Sequence, residues 1–200
     1  MFALCSSLKK IILDESNSSY KVIDGNLYTK DESVLVNYAI GKTDISFHIP
    51  NNVKIIAPFA FYHSTSLEEI FIPKNLVSIG NSAFAKSLLL KKVNFEDNSN
   101  LTHIGECAFL SCSALEEIKF GKNSKLTEIA AQSFTHCTSL TQIALPNTLT
   151  IIGASSFNYC TSLVSLKYSE TMEKWLAITK GTNWDDDTGN YTITYNYTGE

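Results

Sequence analysis

The sequence predicts an α/β repeat solenoid, mainly β, and three observations carry that reading. Phenylalanine recurs at Phe61, Phe84, Phe109, Phe134 and Phe157, at spacings of 23, 25, 25 and 23 residues. Each is followed at plus three by a small residue (Ser64, Ser87, Cys112, Cys137, Cys160) and at plus six by a leucine (Leu67, Leu90, Leu115, Leu140, Leu163). At plus nine comes an aliphatic (Ile70, Val93, Ile118, Ile143, Leu166). A fixed period of this length means that one supersecondary unit, unable to bury its apolar face alone, stacks on copies of itself.

The elements follow in order. Phe2, Cys5, Leu8, Ile11 and Leu13 fall on the offsets of Phe109, Cys112, Leu115, Ile118 and Phe120, so the chain opens inside a repeat. Such an opening exposes apolar surface, and the expectation is a fragment of a longer protein or an end covered by another chain. Val22, 24–28 and 34–38 read as two short strands joined by the polar turn 30–33, a hairpin inserted over 19–48.

Within each unit Ile70 and Ile72 alternate around Phe71, a short strand whose copies stack into a parallel sheet. Pro73 and Pro146 end that strand, because proline has no amide to give. The segments 53–57, 76–80, 101–105, 126–130 and 149–153 supply a second, weaker strand. Glycine follows three of their isoleucines and suits a sharp bend or a left-handed backbone, although Ala57 and Ala130 replace it in two copies. The Ala-Phe pair then begins a short helical or irregular turn on the outer side. After Leu166 the pattern is left: 169–180 has helix periodicity through Met172, Trp175 and Leu176, and 191–197 alternates like an edge strand. The division is a solenoid over 1–166 and a C-terminal cap over 167–200.

Composition narrows the function. With 44% apolar residues, 18% charged and a net charge of −4, the chain suits one globular unit and has no basic stripe for a phosphate backbone, so nucleic acid is not an expected partner. No apolar run reaches the roughly 18 residues that span a bilayer. The opening 1–13 resembles a short signal peptide, but Lys9 and Lys10 interrupt it.

Candidate chemistry is sparse. Cys112, Cys137 and Cys160 share one register with Cys5, which reads as a buried ladder of free thiols because serine replaces cysteine in two copies and no Cys-x-x-Cys exists. Cys107 alone is a candidate for reactivity. His48, His63, His103 and His136 are scattered and read as surface residues. Asp185, Asp186 and Asp187 precede Gly189 like a calcium loop, but Asn196 stands where the closing glutamate belongs, so a solvated turn is expected. No catalytic triad, phosphate loop or zinc motif can be assembled, and neither catalytic residues nor a cofactor are expected. Asn-x-Ser/Thr sequons stand at Asn17, Asn100, Asn190 and Asn196.

In the strands the inward positions are fixed by the core, so partner recognition is open only to the outward ones. These are Glu69 and Phe71, Lys92 and Asn94, Glu117 and Lys119, Gln142 and Ala144, and Ser165 and Lys167. They form two columns on one face, mixed in charge, with Phe71 the only aromatic; aromatics are the usual anchors of a partner.

The units Leu-x-x-Ile-x-Ile-Pro, Leu-x-x-Ile-Gly and Ala-Phe-x-x-Cys at a period near 23, with the segments 20–28, Glu173 to Trp175 and Lys180 to Trp184, resemble the BspA-like leucine-rich repeat family over nearly the whole chain. The resemblance implies a leucine-rich repeat fold and a non-catalytic, adhesin-like surface that binds an extracellular or host protein or a glycoconjugate. It implies a secreted or surface-anchored location, for which the chain displays no export signal or anchor. The alternative is a structural spacer of a longer repeat protein, self-associating end to end through its opening repeat.

Overall fold

A computed structural model describes residue 2 and residues 4–198. Met1, Ala3, Gly199 and Glu200, which the expected solenoid and cap include, lie outside the described residues. The strands in chain order are β1 (Tyr20–Ile23), β2 (Asn26–Thr29), β3 (Val34–Asn37), β4 (Ser46–His48), β5 (Ile55–Ile56), β6 (Glu69–Ile72), β7 (Ser78–Ile79) and β8 (Lys92–Phe95). They continue as β9 (His103–Ile104), β10 (Glu117–Lys119), β11 (Glu128–Ile129), β12 (Gln142–Leu145), β13 (Ile151–Ile152) and β14 (Ser165–Tyr168). A short helix, α1 (Met172–Ala177), precedes β15 (Thr179–Lys180) and β16 (Thr192–Thr194).

These elements wind into a solenoid. One side is a nine-stranded sheet in the order β1-β2-β3-β5-β7-β9-β11-β13-β15, built from the weaker two-residue strands and led by the antiparallel β1-β2-β3. The other side is a parallel run broken in two, β4-β6-β8-β10 and β12-β14-β16. Period-two alternation sets the faces: Ile70 and Ile72 are fully buried while Glu69 and Phe71 are half-exposed. Strand β6 stops at Ile72 and β12 at Leu145, each just before its proline.

The recurring phenylalanines form one continuous stack in the core. Ring centroids along Phe61, Phe84, Phe109, Phe134 and Phe157 are 4.7, 5.0, 5.3 and 5.2 Å apart. That spacing follows the roughly 4.8 Å between neighbouring strands, so each turn places its ring on the last. The small residue at plus three is a donor as well as a space-saver. Cys112, Cys137 and Cys160 donate their thiols to the carbonyls of Phe84, Phe109 and Phe134, as Ser87 donates its hydroxyl to Phe61.

The outer turns are irregular rather than helical, and their hydrogen bonds explain why. Ser82 and Lys86 adopt left-handed φ of 55° and 59°, and the same offsets repeat at Cys107 and Ser111 and at Gln132 and His136. The amides of Ser82, Phe84 and Lys86 donate to Glu106, Ala108 and Leu110 of the next turn, while those of Ala83, Ala85 and Ser87 donate within their own turn. Every second amide thus serves the stack and the rest serve the turn, which leaves the buried backbone paired without a helix.

Of the two readings open for the glycines that follow the weaker strands, the left-handed backbone is not the one adopted. Gly80, Gly105 and Gly153 do not take positive φ; among the described residues only Gly25 and Gly121 do so. Close approach is the reason instead: a Cβ on Gly153 would lie 2.3 Å from the Ala131 amide nitrogen.

Both ends of the solenoid hold more of the repeat than the sequence reading assigned to them. In the segment 19–48, β3 pairs in parallel with β5, and Ser46 to His48 pair in parallel with Glu69 to Phe71. Tyr38 stacks on Phe61 at 4.9 Å, and its amide donates to Ala60 as that of Phe61 donates to Ala83. The opening residues continue this stack, with the Gly41 amide bonded to Leu8, but Cys5 is exposed there and does not join the buried thiols.

In the tail, β15 and β16 extend both sides of the solenoid, and Phe157 donates its amide to Trp184. The Trp184 ring closes the stack edge-on at 6.1 Å from Phe157. Helix α1 is capped by Thr171 and buries Trp175 against Tyr168 and Trp184.

Candidate functional site

The outward residues of the broken sheet fall into two columns by strand register. One runs Ser46, Glu69, Lys92, Glu117 and, past the break, Gln142, Ser165, Thr192. The other runs His48, Phe71, Asn94, Lys119 and then Ala144, Lys167, Thr194. All ten anticipated residues, Glu69, Phe71, Lys92, Asn94, Glu117, Lys119, Gln142, Ala144, Ser165 and Lys167, therefore stand on one face, half-exposed or exposed.

Neighbouring turns hold each other's polar groups. Asn94 donates to the Glu69 carboxylate at 2.9 Å and Lys167 to the Gln142 side-chain oxygen at 3.1 Å, both across turns, while Lys119 pairs with Glu117 of its own strand at 3.2 Å. Just before strands β8 and β6, Lys91 and Glu68 pair at 2.8 Å, which raises the lysine's pKa above its ordinary value. These are surface pairs that set geometry more than stability.

Two features of the face were not anticipated. His48 lies parallel on Phe71, with ring centroids 4.1 Å apart, so the anticipated single aromatic is one half of a stacked pair. The signal was present: His48 stands 23 residues before Phe71, one period away. Tyr197 brings a further ring, with the Lys167 ammonium 4.9 Å from its centroid.

The face is interrupted between β10 and β12. Gly121 takes the place that Pro73 and Pro146 hold in other turns, with φ of 71°, and a Cβ there would lie 2.5 Å from the Glu96 carbonyl oxygen. Strand β10 ends at Lys119, and among the described residues no backbone hydrogen bond joins β10 to β12. A cleft of about 720 Å³ opens there, lined by Glu117, Lys119, Gln142, Ala144, Lys167 and Tyr197 among others. A second hollow of about 540 Å³ lies beside His48, Phe71 and Asn94.

Other candidate chemistry is placed as follows. Burial pushes the Cys112 and Cys160 thiols up to about 12 and Cys137 well above its usual range, a state that opposes the reactive thiolate. Cys107 is half-exposed, its thiol meets the Gln132 side-chain oxygen at 3.3 Å, and burial with nearby Glu106 raises its pKa too. The histidines are less scattered than expected: besides His48, His136 stacks on Tyr159 at 4.5 Å and His103 lies 3.2 Å from the Glu128 carboxylate. Asp185 accepts a hydrogen bond from the Tyr191 hydroxyl. Among the described residues no group of three or more His, Cys, Asp or Glu side chains is placed to hold a metal ion. No helix among them is long and apolar enough to cross a membrane.

Comparison with known proteins agrees with this architecture. The chain is similar to a leucine-rich cell surface protein of Faecalibacterium prausnitzii, with 32% identity and a TM-score of 0.76 over 89% of this chain and 46% of that one. A leucine-rich repeat protein of Eubacterium ventriosum has the same fold, with 22% identity and a TM-score of 0.65 over 99% of this chain and 55% of that one. So does the pneumococcal vaccine antigen PcpA, with 22% identity and a TM-score of 0.56 over 95% of this chain and 40% of that one. The chain thus spans about half the length of these structures. No curated protein matches it. A family model described as a BspA type leucine rich repeat region matches residues 37–164 and 127–176 in six copies. By that match, which takes in most of the chain, the protein belongs to the BspA-type leucine-rich repeat family.

Proposed function

We propose that this chain is a non-catalytic, adhesin-like recognition module that binds an extracellular or host protein or a glycoconjugate at a cell surface. The observation that carries the reading is the face formed by the two outward columns. Its inward residues are held by the core, whereas its outward residues change from turn to turn between acid, base, amide and aromatic ring. A surface so varied on so regular a scaffold suits specificity, with His48 and Phe71 as the aromatic anchor. The Faecalibacterium relative is called a cell surface protein and PcpA a vaccine antigen, which supports display outside the cell.

The second reading, a spacer within a longer solenoid without its own ligand, draws on the relatives' length, about twice that of this chain. Screening the monodisperse protein against extracellular matrix proteins and glycans separates the two. Saturable binding to a defined ligand supports recognition; end-to-end dimers without ligand binding support the spacer.

A further inference from the structure

We infer that the cleft between β10 and β12 binds the carboxylate of an acidic glycan. This rests on the sheet face being a recognition surface and adds the class of ligand. The interruption makes the site: neighbouring strands on either side are laddered together, but here the facing backbone edges of β10 and β12 are unjoined and border a cleft of about 720 Å³. That is within the roughly 300–1,000 Å³ of ordinary ligand pockets.

Charge selects the ligand. Lys119 and Lys167 stand in one column on either side of Ala144, whose methyl group leaves the space between their long side chains unfilled. Lys122 adds a third ammonium at the rim. These three ammonium groups face two carboxylates in the lining, Glu117, which pairs with Lys119 at 3.2 Å, and Asp97, which accepts from the Lys122 backbone amide at 2.7 Å, so one positive charge is in excess. An excess of positive charge is therefore gathered in one cleft of a chain whose net charge is −4.

The remaining lining argues for a sugar rather than an acidic peptide. Gln142 and Asn147 offer amides, Ser169 a hydroxyl and Tyr197 a ring edge, groups that match the many hydroxyls of a hexose. A carboxylate between the lysines would share the ammonium of Lys119 with Glu117 and draw Lys167 from Gln142, gaining charge-assisted hydrogen bonds at little desolvation cost.

The test is isothermal titration of the full chain with a galacturonan tetrasaccharide, its methyl-esterified form and a tetraglutamate peptide. The variants are a Lys119→Gln/Lys167→Gln pair, the outer-turn control Lys86→Glu and, for a matrix protein alone, Phe71→Ala, each checked for a wild-type melting profile. The expected result is binding of the free acid, weakened roughly tenfold or more by esterification or by the lysine pair and unchanged by the outer-turn change Lys86→Glu. Equal binding of the ester, or full binding by the lysine pair, overturns the inference. Binding of tetraglutamate in place of the saccharide overturns it in favour of an acidic peptide. If no saccharide binds while a matrix protein binds in a Phe71-dependent way, the cleft falls and the recognition face stands; if nothing binds, both fall.

Discussion

The Cys137 thiol donates to the carbonyl of Phe109, 3.3 Å away in the preceding turn. The position therefore asks for a small side chain with a donor, which is why Ser87, bonded to the Phe61 carbonyl at 2.9 Å, serves equally. Cys137→Ser should match wild type to within about 0.5 kcal/mol, whereas Cys137→Ala, which removes one of the two hydrogen bonds to the Phe109 carbonyl and leaves that from the Cys112 amide, should cost about 0.5–1.5 kcal/mol. Urea denaturation of the two variants measures the difference.

The same burial gives stability a dependence on alkaline pH. Cys112 and Cys160 are held protonated up to about 12 against an ordinary value of 9.0. Above pH 9 the unfolded chain releases thiol protons that the folded chain keeps, so stability is full below pH 9 and falls as pH rises toward 12. Tyr28, also pushed up to about 12 by burial from 10.0, adds to the fall above pH 10. The triple variant Cys112→Ser/Cys137→Ser/Cys160→Ser should lose most of the dependence between pH 9 and 10, Cys107 retaining a smaller share, and keep the part above it, read as urea midpoints against pH. In the native protein a thiol reagent should label Cys5 and Cys107 and spare the three buried thiols.

Position along the stack should grade the effect of losing a ring. Phe109 has a ring on either side and no exposure, so Phe109→Ala should cost about 3–5 kcal/mol. Trp184 closes the stack from one side and is only partly buried, so Trp184→Ala should cost less and loosen chiefly the last turn. Hydrogen exchange resolved by turn checks the order.

Glycine substitutions separate crowding from backbone conformation. Gly153→Ala meets the Ala131 backbone and should destabilise by about 1–3 kcal/mol, while Ala130→Gly at the same offset should cost only about 1 kcal/mol. Gly121→Ala combines a positive φ with a close carbonyl and should destabilise and reshape the cleft together.

Much of this fold was legible because the core repeats a residue type at a fixed offset. Phe61 to Phe157 could be read directly, and the strand alternation around Phe71 separated the outward face from the core. The stack's ends were missed for physical reasons. Tyr38 presents the same ring but lacks the Ala-Phe pair before it, and the α1 insertion places Trp184 27 residues after Phe157, off the period. The outer turns could not be read because their alternating left-handed residues depend on bonds to neighbouring turns rather than on local propensity. The cleft was equally hidden: Gly121 in a proline position signals a different turn, but only the strand pairing reveals that β10 and β12 are not laddered together.

The most direct measurement is equilibrium binding of a ligand found by screening, compared across wild type, the face variant Phe71→Ala/Lys119→Glu and an outer-turn variant Lys86→Glu/Tyr159→Ala, all of matched thermal stability. A recognition face requires binding to weaken by roughly tenfold or more in the face variant, as loss of anchor residues does, and to persist in the outer-turn variant. Full affinity in the face variant, or loss confined to the outer-turn variant, contradicts it.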